Sequence, residues 1–412
     1  MNLQYDDSET AKELADETRE FVEESVLPRE REMLRNREML ENHEIDDVVA
    51  ELQEEAKERG LYAPQIHEEY GGQGYGLRDV LPTFEEAGRS LLGAKALRVD
   101  APDEGNMHTL ELVGTDEQKE EWLIPLVEDE VTSAFSMTEP IQGAGSDPKM
   151  IQTKAEKDGD EWVINGHKWW TTQGVEADVY LVMARTDEDA HPYQGCSIFL
   201  VPADTDGVEA VRDVPHMGDS GASHAEMRYD DVRVPEENLL GDENAGFIVA
   251  QQRLGPARLT HCMRFTGMAD RALDIAVAYI DEREAFGESL SDKQALRYEI
   301  VDQKTRLHAV RTMVRHAAKE LDKGNRARVE VAMSKVFAAN VTQEAIDTAV
   351  QACGGNGIGK DLPLADFYEN VRSFRIVDGA DEVHKRSIAK RVFDEENIDG
   401  TELENLTRFG EW

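Results

Sequence analysis

From Ser8 the apolar residues Ala11, Leu14, Ala15, Phe21, Val22 and Val26 fall near helical spacing, with Glu, Asp and Lys between them. That pattern predicts an amphipathic helix in the first segment. Further along, TDEQKEEW has the form of a capping box, in which Thr115 and Gln118 each satisfy the other's free backbone donor. After about Val131 the texture changes. WVINGHKWWTT, VYLVMAR, CSIFLVP, VEAVRDV and AEMRYDDVRVP are short runs rich in β-branched and aromatic residues, separated by turn residues, and predict an all-β middle region. Near Gly246 helical periodicity returns. Gly255-Pro256 reads as a start signal, followed by ARLTHCMRFTGMADRALDIAVAYIDER, YEIVDQKTRLHAVRTMVRHAAKEL and VAMSKVFAANVTQEAIDTAVQAC. A last helix after Ala380 places Ile388, Ala389 and Val392 on one face. The expected divisions are a helical domain over residues 1–131, a β domain over 132–245, a helical domain over 246–395 and an acidic tail over 396–412, with no internal repeat.

Charge changes this picture more than size does. The chain has 412 residues, 40% hydrophobic and 32% charged, with 86 Asp and Glu against 45 Lys and Arg and a formal net charge of −41. The acid is spread along the length, so such a chain repels itself unless salt screens it, and at about 1 M salt the Debye length is only about 3 Å. A salt-loving host with a saline interior is the simplest setting. The same surface repels nucleic acid and anionic membranes. Three cysteines without a C-x-x-C pair suggest neither a disulfide framework nor a cysteine metal site. MNLQYDDSET has no basic stretch followed by an apolar one, and no apolar run approaches about 18 residues, so a soluble cytoplasmic protein is expected.

Several motif-like stretches carry no chemistry. GGNGIGKD, Gly354 to Asp361, approximates a phosphate loop, but a helical pattern precedes it and Asp361 stands where a magnesium-binding hydroxyl belongs. GGQGYG, Gly71 to Gly76, reads as a glycine-rich loop. The eleven His are scattered without ligand spacing, so no metal is expected, and no G-x-S-x-G elbow is present. FSMTEPIQGAGSD, Phe135 to Asp147, at the entry to the β region, reads by itself as a turn or a ligand site, and its neighbour adds weight to the second. INGHKWWTTQG, Ile164 to Gly174, puts two Trp and two Thr on a strand, where alternation sends Trp169 and Trp170 to opposite faces, one ring to the core and one free to meet a heterocycle.

Taken together, MTEP…GAGSD…INGHKWWTTQ, YDDVRVPEENLLG and CGGNG, in that order, resemble the acyl-CoA dehydrogenase family of flavoproteins over roughly Ala11 to Phe393. LGPARLTHCMR, AVQACGGNG and RIVDGADEVH look like its branch of animal acyl-CoA dehydrogenases ten and eleven and their microbial relatives. The resemblance implies a mainly α, α+β fold: an N-terminal helical domain, a middle β-barrel-like domain and a C-terminal four-helix bundle, with FAD between the last two. It implies that Phe135, Met137 and Thr138 line the flavin edge, that Trp170 and Thr172 cover its other side, and that Gly145 and Ser146 lie where the cofactor phosphates and acyl-CoA pass. Arg283 and Phe286, and Gln351 with Gly355, match elements through which a partner subunit completes the FAD site, and Gln294 and Glu382 match further positions near the cofactor. A homo-oligomer, commonly a tetramer, follows, with an acyl-CoA substrate and an electron-transferring flavoprotein as partners. The chain departs from the family at Ile141 and Gln142, which lengthen one loop, and at Ala285 and Ala380, which stand where many members have Thr.

RIVDGADEVH poses the chemical question. On its residues alone, an Asp before Gly shapes a turn by capping local donors. The resemblance aligns Asp378 with the family's catalytic base, commonly Glu, and places Ala257, which cannot act as a base, at the alternative base position. Arg258 would orient the base or anchor substrate. The implied reaction removes the pro-R α-proton to Asp378 while the β-carbon gives hydride to flavin N5, forming a trans-2-enoyl-CoA, with the Asp378 N–H stabilising the thioester oxygen and a dry pocket raising the carboxyl pKa. The rivals are a nitroalkane oxidase-like flavoenzyme and a non-catalytic flavin-binding relative with a nucleic-acid role, which the net charge of −41 disfavours.

The charge leads to a first prediction. The unfolding midpoint should rise steeply between about 0.1 M and 1 M KCl as the self-repulsion is screened. A midpoint independent of KCl would show that the acidic surface imposes no such requirement.

Overall fold

The computed structural model describes residues 5–36, 42–218 and 223–395; the predicted acidic tail, 396–412, lies outside them. The N-terminal helices are α1 (Glu9–Phe21), α2 (Leu27–Asn36), α3 (Asn42–Glu58), α4 (Leu77–Gly88), α5 (Gly93–Ala96), α6 (Asp103–Val113), α7 (Asp116–Gln118) and α8 (Ile124–Val127). Ser8 caps α1, whose Ala11, Leu14, Ala15 and Phe21 are buried as their spacing requires, and the Thr115–Gln118 capping box forms in full.

Eight strands follow: β1 (Ser133–Ser136), β2 (Lys154–Asp158), β3 (Glu161–Thr172), β4 (Val179–Arg185), β5 (Cys196–Pro202), β6 (Val208–Asp213), β7 (His224–Pro235) and β8 (Leu239–Leu240). The sheet order is β6-β7-β3-β2-β4-β5-β8, with β1 parallel to β4. The expected barrel-like domain is not found: the sheet is open. Among the described residues β6 and β8 end the ladder without pairing to each other, and β2 meets β4 at one register position, Lys154 with Arg185. The two halves instead face each other over one apolar core, where Trp162 meets Phe199 at 5.3 Å and Tyr180 meets Tyr229 edge-on at 6.4 Å.

The C-terminal helices are α9 (Gly246–Glu282), α10 (Gln294–Asp322), α11 (Arg328–Cys353), α12 (Gly355–Ile358), α13 (Leu364–Ser373) and α14 (Asp381–Lys390). Gly255-Pro256 does not start α9. The helix begins at Gly246 and runs 37 residues with Pro256 inside it, so only the bond to the Gln252 carbonyl is forgone. α9 packs on α4, α6, α10 and α11. Its contact with α4 is backbone on backbone: a Cβ on Gly267 would sit 1.8 Å from the Glu85 carbonyl oxygen, and one on Gly88 would sit 2.0 Å from that of Arg264. Glycine at both positions is therefore a steric requirement. At the other end, a Cβ on Gly246 would be 2.7 Å from the Ser197 backbone, so α9 also abuts the sheet. Among the described residues no helix is long and apolar enough to cross a membrane, and no group of three or more His, Cys, Asp and Glu could hold a metal ion.

Candidate active site

The turn between α13 and α14 carries Asp378, with φ +55°, followed by Gly379 at φ +97°. Two successive left-handed residues turn the chain sharply; glycine adopts this freely and Asp better than most side chains. Three elements fix the turn from outside. Arg258 Nε on α9 donates to the Asp378 carbonyl at 2.9 Å, His384 Nε2 on α14 reaches the same oxygen at 3.2 Å, and Lys335 Nζ on α11 donates to the Gly379 carbonyl at 2.9 Å. The buried Asp381 carboxylate accepts from Asn340 at 2.9 Å and Arg375 at 3.1 Å, so the start of α14 is held as well. The Asp378 N–H donates to no acceptor among the described residues and is free for a ligand oxygen.

The Asp378 side chain has Oδ2 buried without a hydrogen bond, 3.3 Å from His261 Nδ1. Burial pushes its carboxyl up. The positive groups around it, His261 first and then Arg253, Arg258 and Lys335, outweigh burial and hold it below the ordinary aspartate range. The expected rise in a dry pocket is therefore reversed, because this pocket is dry but strongly cationic. His261 is itself driven down to about 4 by burial and Arg264, so at neutral pH it carries no charge, and Arg253, Arg258 and Lys335 are the cations that remain to favour ionised Asp378. Burial also lowers Arg253, Arg258 and Lys335, each partly restored by a carboxylate.

A second wall comes from the sheet. Phe135 lies in β1, and the Arg253 guanidinium lies over its ring at 4.5 Å, so one cation touches the sheet wall and also acts on Asp378. The Met137–Thr138 segment is pinned by Lys168 Nζ on the Met137 carbonyl at 2.9 Å and by the Trp169 N–H on the Thr138 carbonyl at 2.9 Å. Beneath it Glu139 and Lys168 form a buried pair at 3.0 Å. Glu139 also accepts from the N–H groups of Ala144, Gln152 and Thr153 and from the Thr153 hydroxyl, at 2.7 to 3.1 Å.

The predicted split of Trp169 and Trp170 to opposite faces does not occur. A register shift between Lys168 and Thr171 breaks the alternation, Trp170 takes φ +54°, and the two rings meet edge-on at 6.1 Å with neither buried. Trp170 keeps 43% of its surface exposed. Thr172 Oγ1 contacts His224 Nδ1 at 3.1 Å. The structure thus gathers Phe135, Met137, Thr138, Trp170 and Thr172 along one sheet edge, and Asp378 with Arg258 on the helices beyond Arg253. Gly145 and Ser146 are exposed in the loop between β1 and β2. Arg283, Gln351, Gly355 and Glu382 are exposed on the helical region, and Phe286 is 95% exposed at the tip of a two-residue hairpin with φ +56°. Gln294, at the start of α10, bonds Tyr298 at 2.5 Å. Among the described residues no hydrogen bond or ring contact joins these six to the sheet edge.

Sequence reasoning passed over Arg253, His261, Lys335 and the Glu139–Lys168 pair. Glu139, Lys168 and His261 stand inside stretches already singled out, and Lys335 lies on an otherwise apolar face of its helix, VAMSKVFAAN. Nothing local to the sequence marks Arg253.

Against this geometry, family models of acyl-CoA dehydrogenases match the chain from end to end of its described region: the N-terminal domain over residues 8–130, the middle domain over 134–232 and the C-terminal domain over 244–393. The chain belongs to the acyl-CoA dehydrogenase family. It is 42% identical to "Probable acyl-CoA dehydrogenase FadE2" of Mycobacterium tuberculosis over 84% of this chain and 86% of that protein. It is 36% identical to acyl-CoA dehydrogenase family member 11 of Gallus gallus over 93% of this chain, and spans only 50% of that longer protein. Butyryl-CoA dehydrogenase from Megasphaera elsdenii superposes with a TM-score of 0.82 at 28% identity, covering 95% of this chain and 100% of that one. PigA, solved as an FAD complex, has a TM-score of 0.82 at 24% identity over 95% and 99% of the two chains, and shares the fold.

Removing Glu139 would strand the Lys168 charge in a dry site. Glu139→Ala should cost about 3–5 kcal/mol, read by denaturant unfolding, and lower the flavin bound per chain. Lys168 and the surrounding N–H groups outweigh burial and hold the Glu139 carboxyl below its ordinary value. Its stabilisation is therefore complete above about pH 4.3, the unfolded value, and drains away as pH falls through the lower folded value. An Ala variant of unchanged stability would show that the pair does not hold the loop.

Proposed function

We propose that the chain is an FAD-dependent acyl-CoA dehydrogenase in which Asp378 removes the α-proton of an acyl-CoA thioester, giving a trans-2-enoyl-CoA. The observation that carries this reading is a largely buried carboxylate that no described donor hydrogen-bonds, on a turn fixed by Arg258, His384 and Lys335. A carboxylate left ionised with an oxygen free of donors is available to accept a proton, its lowered pKa being offset by stabilisation of the charge that grows on the thioester.

The sheet edge fits the cofactor. Trp170 offers an exposed indole, and the Thr138 N–H and hydroxyl have no partner among the described residues, which suits the rim of a polar heterocycle. Phe135, Met137, Thr138, Trp170 and Thr172 would hold the ring, with Gly145 and Ser146 along the phosphates and acyl-CoA. Bound FAD supplies the acceptor for the hydride that leaves the substrate β-carbon. The protein does the rest. The free Asp378 N–H lies beside the base, where it can stabilise negative charge growing on the thioester oxygen as the α-proton leaves. Arg258 holds the carbonyl of the same residue, so donor and base move as one unit. Arg253 and Lys335 keep the base ionised until the proton arrives.

Arg283, Phe286, Gln294, Gln351, Gly355 and Glu382 are assigned to completing FAD sites across subunits of a homotetramer. Their separation from the sheet edge supports this, as do Phe286, Ile358 and Ile376, which are 95%, 73% and 61% exposed in the single chain. An electron-transferring flavoprotein would take the electrons, in the cytoplasm of a salt-adapted cell. Similarity to family member 11 supports placing the chain in the ten and eleven branch. The domain divisions are placed at 131/132, 245/246 and 395/396.

The base assignment is tested by Asp378→Asn. The variant should retain FAD and reduce it about 100- to 10,000-fold more slowly with acyl-CoA in single-turnover measurements. Asp378→Glu, about 1.5 Å longer, should retain FAD and lose about a hundredfold. Turnover near the unmodified rate in the Asn variant would exclude Asp378 as the base.

A further inference from the structure

We infer that His261 is the positioning residue of the base: its Nδ1, held at the Ala257 carbonyl and 3.3 Å from Asp378 Oδ2, biases the direction of Oδ2 and leaves Oδ1 to take the substrate proton. This rests on the reading of Asp378 as the base.

The tautomer follows from the geometry. His261 Nδ1 lies 2.7 Å from the Ala257 carbonyl oxygen, and a carbonyl can only accept, so the hydrogen sits on Nδ1. The same nitrogen is 3.3 Å from Asp378 Oδ2, a polar contact that is not aligned as a hydrogen bond in this structure, and a rotation of the carboxylate would make the Nδ1–H a bifurcated donor. The ring has little freedom to leave. It lies nearly parallel to Phe265 at 6.4 Å and to Phe374 at 6.2 Å, and those two rings stack at 4.6 Å.

The other cations around Asp378 do not do this work. Arg258 and Lys335 bond the backbone carbonyls of Asp378 and Gly379, and Arg253 donates to Asn106 and Pro102. Among the described residues no donor makes a hydrogen bond to the carboxylate, and the one charge-pair contact it makes within 4 Å is with His261, at 3.3 Å. Arg253, Arg258 and Lys335 fix its charge and His261 its direction. Burial keeps the imidazole neutral at physiological pH, its pKa lowered to about 4, so it donates one hydrogen without neutralising the base as an imidazolium would. For a short side chain this matters, since displacement of about 1 Å can cost about a hundredfold in rate.

Three variants separate direction from packing. His261→Phe keeps a stacked ring and loses the donor. His261→Asn places an amide N–H where Nδ1 stands, and His261→Gln places one where Nε2 stands. In single-turnover flavin reduction by acyl-CoA, Phe and Gln should be slowed about 10- to 100-fold with substrate affinity within about twofold of the unmodified protein. Asn should recover to within about threefold. Without any turnover, the unfolding midpoints of His261→Phe, Asp378→Asn and the double variant should be non-additive, because the two residues touch. Should the Phe variant fail to fold, the contrast between Asn and Gln decides. Unmodified rates in Phe or Gln, Asn as slow as Gln, or additive midpoints would each overturn the assignment. If instead Asp378→Asn turns over normally in the same series, it is the base reading that fails.

Discussion

A largely buried carboxylate has to be kept charged, and most of the structure around the α13–α14 turn follows from that requirement. Alone in this setting Asp378 would take up a proton and lose its use as a base. Arg253 and Arg258 from α9 and Lys335 from α11 favour the charged form without grasping the carboxylate, since their hydrogen bonds go to backbone and amide oxygens. The result is an ionised acid with little hydrogen bonding. Full pairing would have made it a more stable ion and a poorer proton acceptor.

Such a cluster needs a rigid frame, and α9 supplies it. Over its 37 residues the helix presents Arg253, Arg258, His261 and Arg264 toward the site, meets α4 backbone to backbone at Gly267, and rests on the sheet at Gly246. On its far side Lys304 and Arg311 tie Asp270 to α10. The sheet wall is joined to this frame through Arg253 over Phe135 and through Asp103, which accepts from Ser133, Gln173 and Arg98 at 2.6 to 3.2 Å. Displacement of β1 would therefore disturb the cations that charge the base.

Much of this was legible in the sequence. Helical periodicity located α1, α10 and α11, and runs of β-branched and aromatic residues between turn residues located strands β3 to β7. What it missed has physical causes. β1 and β2 are too short to show alternation, and the bulge that turns Trp170 outward is a register event between strands, invisible in either alone. Pro256 imitated a helix start because one lost hydrogen bond is tolerated in a long packed helix. Barrel closure depends on edge pairing between β6 and β8, which no local pattern encodes. In the site, the motif stretches marked Asp378 and Arg258. The sign of the pKa shift was out of reach, because Arg253 and Lys335 come from positions 125 and 43 residues away in the chain, and only folding sets them beside the base.

The central claim is tested most directly by an anaerobic visible spectrum of the protein, purified in molar KCl, before and after acyl-CoAs of graded chain length. The account predicts bound yellow flavin that bleaches with one class of chain. Flavin that stays oxidised with every thioester would contradict it. Oxygen consumption on a nitroalkane without any CoA ester would then identify the carbon acid the site serves.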